Sequence, residues 1–356
     1  MYDPYQAQVA LDRVLRGEAK AVIEPDDSTL RWLKLGAGMM VHFGINTFYD
    51  REWSDGTLDI NAFNPVEYDP EQWVCAAKAG GLKYLLFVTK HHDGFCNWHT
   101  QWTDCHCGNT SFKRDILAEL AEACSKHGIK LAYYYSLWDR YEPSFEHDRG
   151  YAMFMKRQLT ELLVNYGEIA EIWFDGGWKK GGTHYQDPER WHWREIYEHI
   201  KAIQPHCMVG NNGTSGRSGE IVMWPCDFRI GEKKLPPEND KQIRYCGGLG
   251  NWLPFEAVFT LSAGGDGKPP FGSGKWFWHP TDVTTVSPES LVEKAVVCRE
   301  RGANILINAG PTDKGLLRDV DVQCLEQFGK LNKPATSDKP AAEKANPTDP
   351  DAAITA

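Results

Sequence analysis

Between Met39 and Asn308 short apolar runs alternate with amphipathic stretches, and this alternation narrows the possible folds more than any other property of the chain. Met39–Phe43, Tyr84–Thr89, Lys130–Ser136, Ile169–Phe174, Cys207–Gly210 and Ala303–Asn308 are apolar at successive positions, as strands covered on both faces must be. Helical spacing fills the intervals at Glu71–Ala79, Arg114–His127, Tyr151–Tyr166, Glu189–Ile203 and Glu289–Arg301. Asp69-Pro70 suits a helix start. Gly128, Gly167 and Gly302 suit helix ends, and Pro205 stops a fourth. Trp224–Ile230 and Ala257–Leu261 are weaker candidates for a sixth and a seventh strand. About eight strands in βαβα order predict an α/β fold, a TIM-like (β/α)8 barrel rather than an open sheet.

The regularity fails between about 211 and 286, so the second half of the barrel is expected to be irregular. The glycine-rich segment 264–274 reads as a long functional loop. A small helix at Val320–Leu331 closes a catalytic domain spanning 1–332. Residues 333–356, rich in Pro, Ala, Lys, Asp and Thr without apolar periodicity, read as a disordered tail.

Barrel chemistry belongs to the C-terminal ends of the strands, and four consecutive ends here carry polar or aromatic groups. The first gives His42-Phe43-Gly44 with Glu52-Trp53 beyond, the second Lys90-His91-His92-Asp93-Gly94-Phe95 with Trp98. The third gives Tyr134, Ser136, Trp138 and Asp139. The fourth, Glu171-Ile172-Trp173-Phe174-Asp175-Gly176-Gly177-Trp178, passes from an apolar strand straight into a carboxylate and two glycines. Aromatic walls beside a carboxylate suit a sugar ring, apolar on its C–H face and hydroxylated at its rim. Taken alone, Asp175 could equally cap a helix or open a turn.

Composition removes other classes. The net charge of −10 argues against nucleic-acid binding, and no run approaches the length of a membrane span. Met1-Tyr2-Asp3-Pro4 has no signal-peptide character. The ten cysteines lack the pairing of a disulfide framework. The expectation is therefore a reduced, cytoplasmic protein, secreted or periplasmic only if a leader has been removed. His91, His92 and Asp93 invite a metal, with Cys105-His106-Cys107 as further soft ligands. However, neighbouring strand residues point to opposite faces, and the expectation is no metal and no cofactor.

His42-Phe43-Gly44, Lys90-His91-His92-Asp93-Gly94-Phe95, Tyr134–Trp138 and Trp173-Phe174-Asp175-Gly176 resemble the motifs of the α-L-fucosidases, family 29 of the glycoside hydrolases. Gly302-Ala303-Asn304-Ile305-Leu306-Ile307-Asn308-Ala309-Gly310-Pro311 is similar to that family's last-strand signature. The resemblance covers roughly residues 30 to 332. It implies exo-acting hydrolysis of terminal α-L-fucosides on glycans or glycosides, with retention, through a covalent fucosyl-enzyme. Such chemistry needs two carboxyl groups about 5–5.5 Å apart.

By resemblance Asp175 is the nucleophile, kept ionised by nearby imidazoles and an arginine. The acid/base is less defined. Glu232 leads, Glu256 is its main rival, and Glu220 and Glu238 stand behind. The resemblance also makes His42, His91 and His92 ligands of fucose hydroxyls, sets Tyr134 and Trp173 beside the nucleophile, and puts Glu52 and Trp53 at the edge of the site. Trp276, Phe277 or Trp278 is expected to receive the 6-methyl group. Many members carry a C-terminal β-sandwich, for which this chain leaves too few residues. Two rival readings are a sugar-binding barrel that has lost its acid/base and a metal-dependent hydrolase using His91, His92 and Asp93.

Overall fold

Eight parallel strands close on themselves in the order β1 (Ala37–Val41), β2 (Tyr84–Lys90), β3 (Lys130–Ser136), β4 (Ile169–Asp175), β5 (Met208–Asn211), β6 (Phe228–Glu232), β9 (Phe255–Thr260) and β10 (Asn304–Ala309). The remaining two, β7 (Ile243–Cys246) and β8 (Leu249–Trp252), form a separate antiparallel hairpin. The computed structural model describes residues 23–177, 187–213, 218–240, 242–246, 249–263 and 275–333. The glycine-rich segment 264–274 and the tail beyond Lys333 lie outside the described residues.

The outer layer comprises α1 (Asp27–Leu33), α2 (Pro70–Ala79), α3 (Ile116–His127), α4 (Asp148–Asn165), α5 (Trp193–Ile203), α6 (Pro288–Glu300) and α7 (Asp319–Leu331). Asp69 caps α2 by accepting from Glu71 N and Gln72 N, and Gly128 ends α3 at φ 70°, as the sequence signals required. Among the described residues no α-helix follows β5 or β6; the hairpin occupies part of that interval. β6 begins four residues after the apolar run at Trp224, because Pro225 offers no N–H to a ladder. No helix among the described residues is long and apolar enough to cross a membrane.

The strand period of two sorts the side chains. One parity faces the helices and builds the larger core, where Trp73, Trp193, Phe87 and Leu120 are fully buried; each such side chain contributes about 1.5–3 kcal/mol. The other parity fills the barrel with Met40, Tyr84, Leu86, Tyr134, Trp173, Ile230 and Leu306. Gly38 makes room there, since a Cβ would come within 2.6 Å of the Tyr84 ring. Trp32 of α1 plugs the N-terminal end and donates its indole N–H to Glu171. Two residues beyond Met40, Trp173 and Ile230, the same parity delivers His42, Asp175 and Glu232 to the opposite end.

Candidate active site

That opposite end holds a cavity of ≈ 240 Å³ lined by Met40, His42, Trp53, His91, His92, Tyr134, Trp173, Asp175, Gly213, Glu232 and Trp276. Of the residues singled out in the sequence, Asp175, Glu232, His42, Trp53, His91, His92, Tyr134, Trp173 and Trp276 line it, whereas Glu52, Glu256, Glu220, Glu238, Phe277 and Trp278 do not.

Asp175 is the last residue of β4 and is level with Ser136 of β3. The chain turns at once through Gly176 at φ 81°, where a Cβ would lie 2.8 Å from that of Trp138 and 3.1 Å from the His92 ring. Only glycine satisfies both the left-handed backbone and the close packing. Tyr134 donates its hydroxyl to Asp175 Oδ2 at 2.7 Å, and Asn212 Nδ2 donates to Oδ1 at 3.2 Å. The same Asn212 nitrogen donates to Glu232 Oε2 at 2.8 Å. The two carboxyl oxygens therefore lie no farther apart than these two bonds end to end, short of the ~6.5–9.5 Å by which an inverting pair admits water.

Burial, and then the Glu232 charge, push the Asp175 carboxyl up to about 7 against the pull of Tyr134, the Gly176 amide and Asn212. This corrects the expectation of a carboxylate held low by imidazoles and an arginine. Among the described residues no arginine lines the cavity, and two of the imidazoles are uncharged. Burial pushes His42 down to about 3 and His91 well below the usual histidine range.

The histidines meet the cavity as hydrogen-bonding groups of defined tautomer. Asn308 donates its amide to Trp276 O at 2.9 Å, so its oxygen accepts from His42 Nδ1 at 2.5 Å and leaves Nε2 as an acceptor. Ser136 donates to Trp138 O and so accepts from His92 Nδ1, both at 2.6 Å. This turns His92 Nε2 toward Asp175 Oδ2, 3.6 Å away.

The His91-His92-Asp93 metal reading meets a different geometry. Asp93 accepts from Asn46 Nδ2 at 2.7 Å and from Phe95 N at 2.8 Å, stabilising its own turn. Burial raises it to about 6. His91 Nδ1 stays 3.9 Å from it, while His92 faces Ser136 and Asp175. The Cys105–Cys107 loop packs by backbone pairing to Cys96, with both cysteines buried.

Glu256 is corrected as an acid/base candidate. It is the second residue of β9, near the closed N-terminal end, where it accepts from Tyr84 and hydrogen-bonds with Glu171. Its side chain is on the inward parity but at the wrong depth. Glu238 pairs with Arg301 at 3.2 Å on the surface, and Glu220 is exposed. Glu52 lies behind the wall instead of in it, accepting from Trp276 N at 3.2 Å and from His279 Nε2 at 2.7 Å. Asn212, Ser136 and His279 serve the site without having been assigned a role in it. Asn212 follows the tip of the short strand β5, so the rule that found Asp175 also points to it.

A family model described as Alpha-L-fucosidase matches residues 34–333. Alpha-L-fucosidase 1 of Arabidopsis thaliana is 30% identical over 326 residues, 86% of this chain and 60% of that protein. Tissue alpha-L-fucosidase of Homo sapiens is 25% identical over 276 residues, 74% of this chain and 53% of that protein. The chain thus spans about 60% or less of the length of these curated relatives. Alpha-L-fucosidase isoenzyme 1 from Paenibacillus thiaminolyticus superposes with a TM-score of 0.69 at 28% identity, covering 85% of this chain and 74% of that one. A glycoside hydrolase 29 family member from an unknown rumen bacterium gives 0.72 at 28% identity, covering 86% and 57%.

Proposed function

This chain belongs to the α-L-fucosidase family, glycoside hydrolase family 29, and from that premise we propose that it is an exo-acting, retaining α-L-fucosidase. The single observation that carries the mechanism is the Asn212 amide shared by Asp175 and Glu232. It keeps one oxygen of each carboxyl group closer than the two bonds end to end, which supports reading them as a nucleophile and its acid/base partner rather than as two groups with a water between them.

In this reading Asp175 attacks the anomeric carbon as Glu232 gives its proton to the leaving oxygen. A covalent fucosyl-enzyme forms, and Glu232 then takes a proton from the water that hydrolyses it. Two carboxylates so close resist being ionised together, and the reaction requires their shared proton on the Glu232 side and the charge on Asp175. Tyr134 fixes the attacking carboxylate. Neutral His42 accepts from a sugar hydroxyl, and His91 and His92 border the same ring. Trp173, Trp276 and Trp53 supply apolar faces for the sugar C–H surface and the 6-methyl group. A pocket of ≈ 240 Å³ with walls on several sides suits one terminal sugar. The pairing of Glu232 with Asp175 weighs against a binding barrel that has lost its acid/base.

The test is hydrolysis of 4-nitrophenyl α-L-fucoside, beside the β-fucoside and the α-L-galactoside, with and without chelator, reading the first-formed anomer by NMR. Chelator-insensitive turnover of the α-L-fucoside with α-fucose released first is expected. β-Fucose as the first product overturns the retaining mechanism, and failure on branched fucosylated oligosaccharides as well as on the aryl fucoside overturns the enzyme.

A further inference from the structure

On the outer layer, remote from the pocket, three metal-ligating side chains of different chemistry converge. Glu71 and Cys75 are four residues apart on α2, hence on one face. His127, the last residue of the neighbouring α3, meets them both. Its Nε2 lies 2.8 Å from Glu71 Oε1 and 3.9 Å from Cys75 Sγ. One ligand atom from each residue falls within 4.8 Å of the other two, and this is the group of its kind found among the described residues. Bond lengths of ~2.3 Å to sulfur, ~2.0–2.1 Å to imidazole and ~2.0–2.2 Å to carboxylate separate tetrahedral ligand atoms by about 3.3–3.6 Å. The 2.8 and 3.9 Å spacings straddle that range and the Glu71–Cys75 spacing is within 4.8 Å, so side-chain adjustments of up to about 1 Å would close the site.

We propose that Glu71, Cys75 and His127 form a surface site for a divalent cation of the zinc class, with water in the fourth position. The donor set selects the metal. Thiolate and imidazole favour zinc and its neighbours over the hard, oxygen-seeking magnesium and calcium. Thiolate and carboxylate together neutralise its charge. Cys75 has the exposed side chain among the ten cysteines, so it is the thiol that solvent metal can reach. Lys126 holds both Glu71 oxygens, at 2.7 and 2.9 Å, and must be displaced. Its side chain is 61% exposed, and an ion pair of that kind contributes little. Once bound, the metal ties α2 to α3 and so braces the wall outside β2. Binding releases the thiol proton and strengthens as pH rises.

The proposal is independent of the fucosidase reading. Full-length protein, stripped with chelator and dialysed, is titrated with Zn²⁺ by calorimetry, and with Co²⁺ while the thiolate-to-metal absorption is followed. One-to-one saturable binding with a thiolate band is expected, accompanied by a rise in Tm. Cys75→Ser and His127→Gln should each weaken it by at least the ~10–100-fold that losing even an outer-shell partner costs. Lys126→Ala, which removes the competing ammonium, should bind more tightly. Turnover of the aryl fucoside should be the same in all four proteins. A Cys75→Ser titration superimposable on that of the wild type, or a cobalt complex without the thiolate band, overturns the site.

Discussion

Tyr134 gives its hydroxyl hydrogen to Oδ2 of Asp175 across 2.7 Å, from the adjacent strand and the same inward parity. This bond stabilises the charged carboxylate, and a hydrogen bond to a charged group contributes about 1.5–3 kcal/mol. Tyr134→Phe should therefore lower kcat/KM by about 10–100-fold and move its acidic limb to higher pH. Both follow from pH–rate profiles on the aryl fucoside. A variant with a lower rate but an unmoved limb would mean that Tyr134 packs against the sugar without tuning the nucleophile.

Asp175 also links activity to stability. Its carboxyl rests at about 7 in the folded protein, above its ordinary range. Attack requires the ionised form, so kcat/KM should rise with pH up to about that value. The stability contribution has the opposite sign. A carboxyl raised on folding contributes stability that is fully present below its unfolded pKa and is lost as pH rises through about 7. Asp175→Asn should abolish turnover yet melt higher than the wild type at pH 8, by on the order of 2–4 kcal/mol. The gap should close in mild acid, as thermal melts across pH would reveal. Equal melting at pH 8 would mean that the carboxylate is better solvated than its burial implies.

The rim was legible in the sequence because strand ends announce themselves: Trp173-Phe174-Asp175-Gly176 and Lys90-His91-His92-Asp93 both switch from apolar to polar within a residue or two. What sequence does not encode locally is depth. Glu232 and Glu256 are both strand residues of inward parity, yet one ends β6 at the mouth and the other is the second residue of β9, near the base. Helix α1 escaped notice because a short helix has little periodicity to read. Its cap, Asp26 accepting from Thr29 N at 2.7 Å, was the available signal. The Asp175 carboxyl is raised instead of held low because burial, a three-dimensional property, outweighs its hydrogen bonds with Tyr134, Gly176 and Asn212.

The depth difference makes the two glutamates separable by experiment. Glu232→Ala should slow poor leaving groups far more than activated aryl ones, and azide should restore turnover with α-fucosyl azide as the product, because attack on the β-linked fucosyl-enzyme inverts that bond and restores the configuration of the substrate. Glu256→Gln should keep kcat within a few-fold and gain nothing from azide. Its cost should appear in Tm, because Glu256 is buried against Glu171 and Tyr84, where an altered polar network destabilises by about 1–3 kcal/mol. Azide rescue of a Glu256 variant would reverse the assignment.

His279 makes the last prediction, since both of its ring nitrogens meet carboxylates. Nδ1 pairs with Asp50, and Nε2 with Glu52 at 2.7 Å, while Glu52 also accepts from the Trp276 amide at 3.2 Å. A neutral imidazole could donate to only one of them. Burial pulls the His279 pKa down, but Glu52 and Asp50 more than offset it and leave it raised. The imidazolium thus ties the loop carrying Trp53 to the segment carrying Trp276, two walls of the pocket. A raised histidine contributes stability that is fully present below its ordinary pKa and is lost as pH rises through the folded value, so the tie loosens toward alkaline pH. His279→Ala should raise KM by about 3–30-fold, the loss of one hydrogen bond to a charged group with the exposed Asp50 pair counting for less. Because His279 touches no reacting atom, kcat should change less. In the wild type KM should climb on the alkaline side, and in His279→Ala it should be flat there. A KM that climbs equally in both proteins would assign the alkaline limb to another group and leave His279 a packing residue.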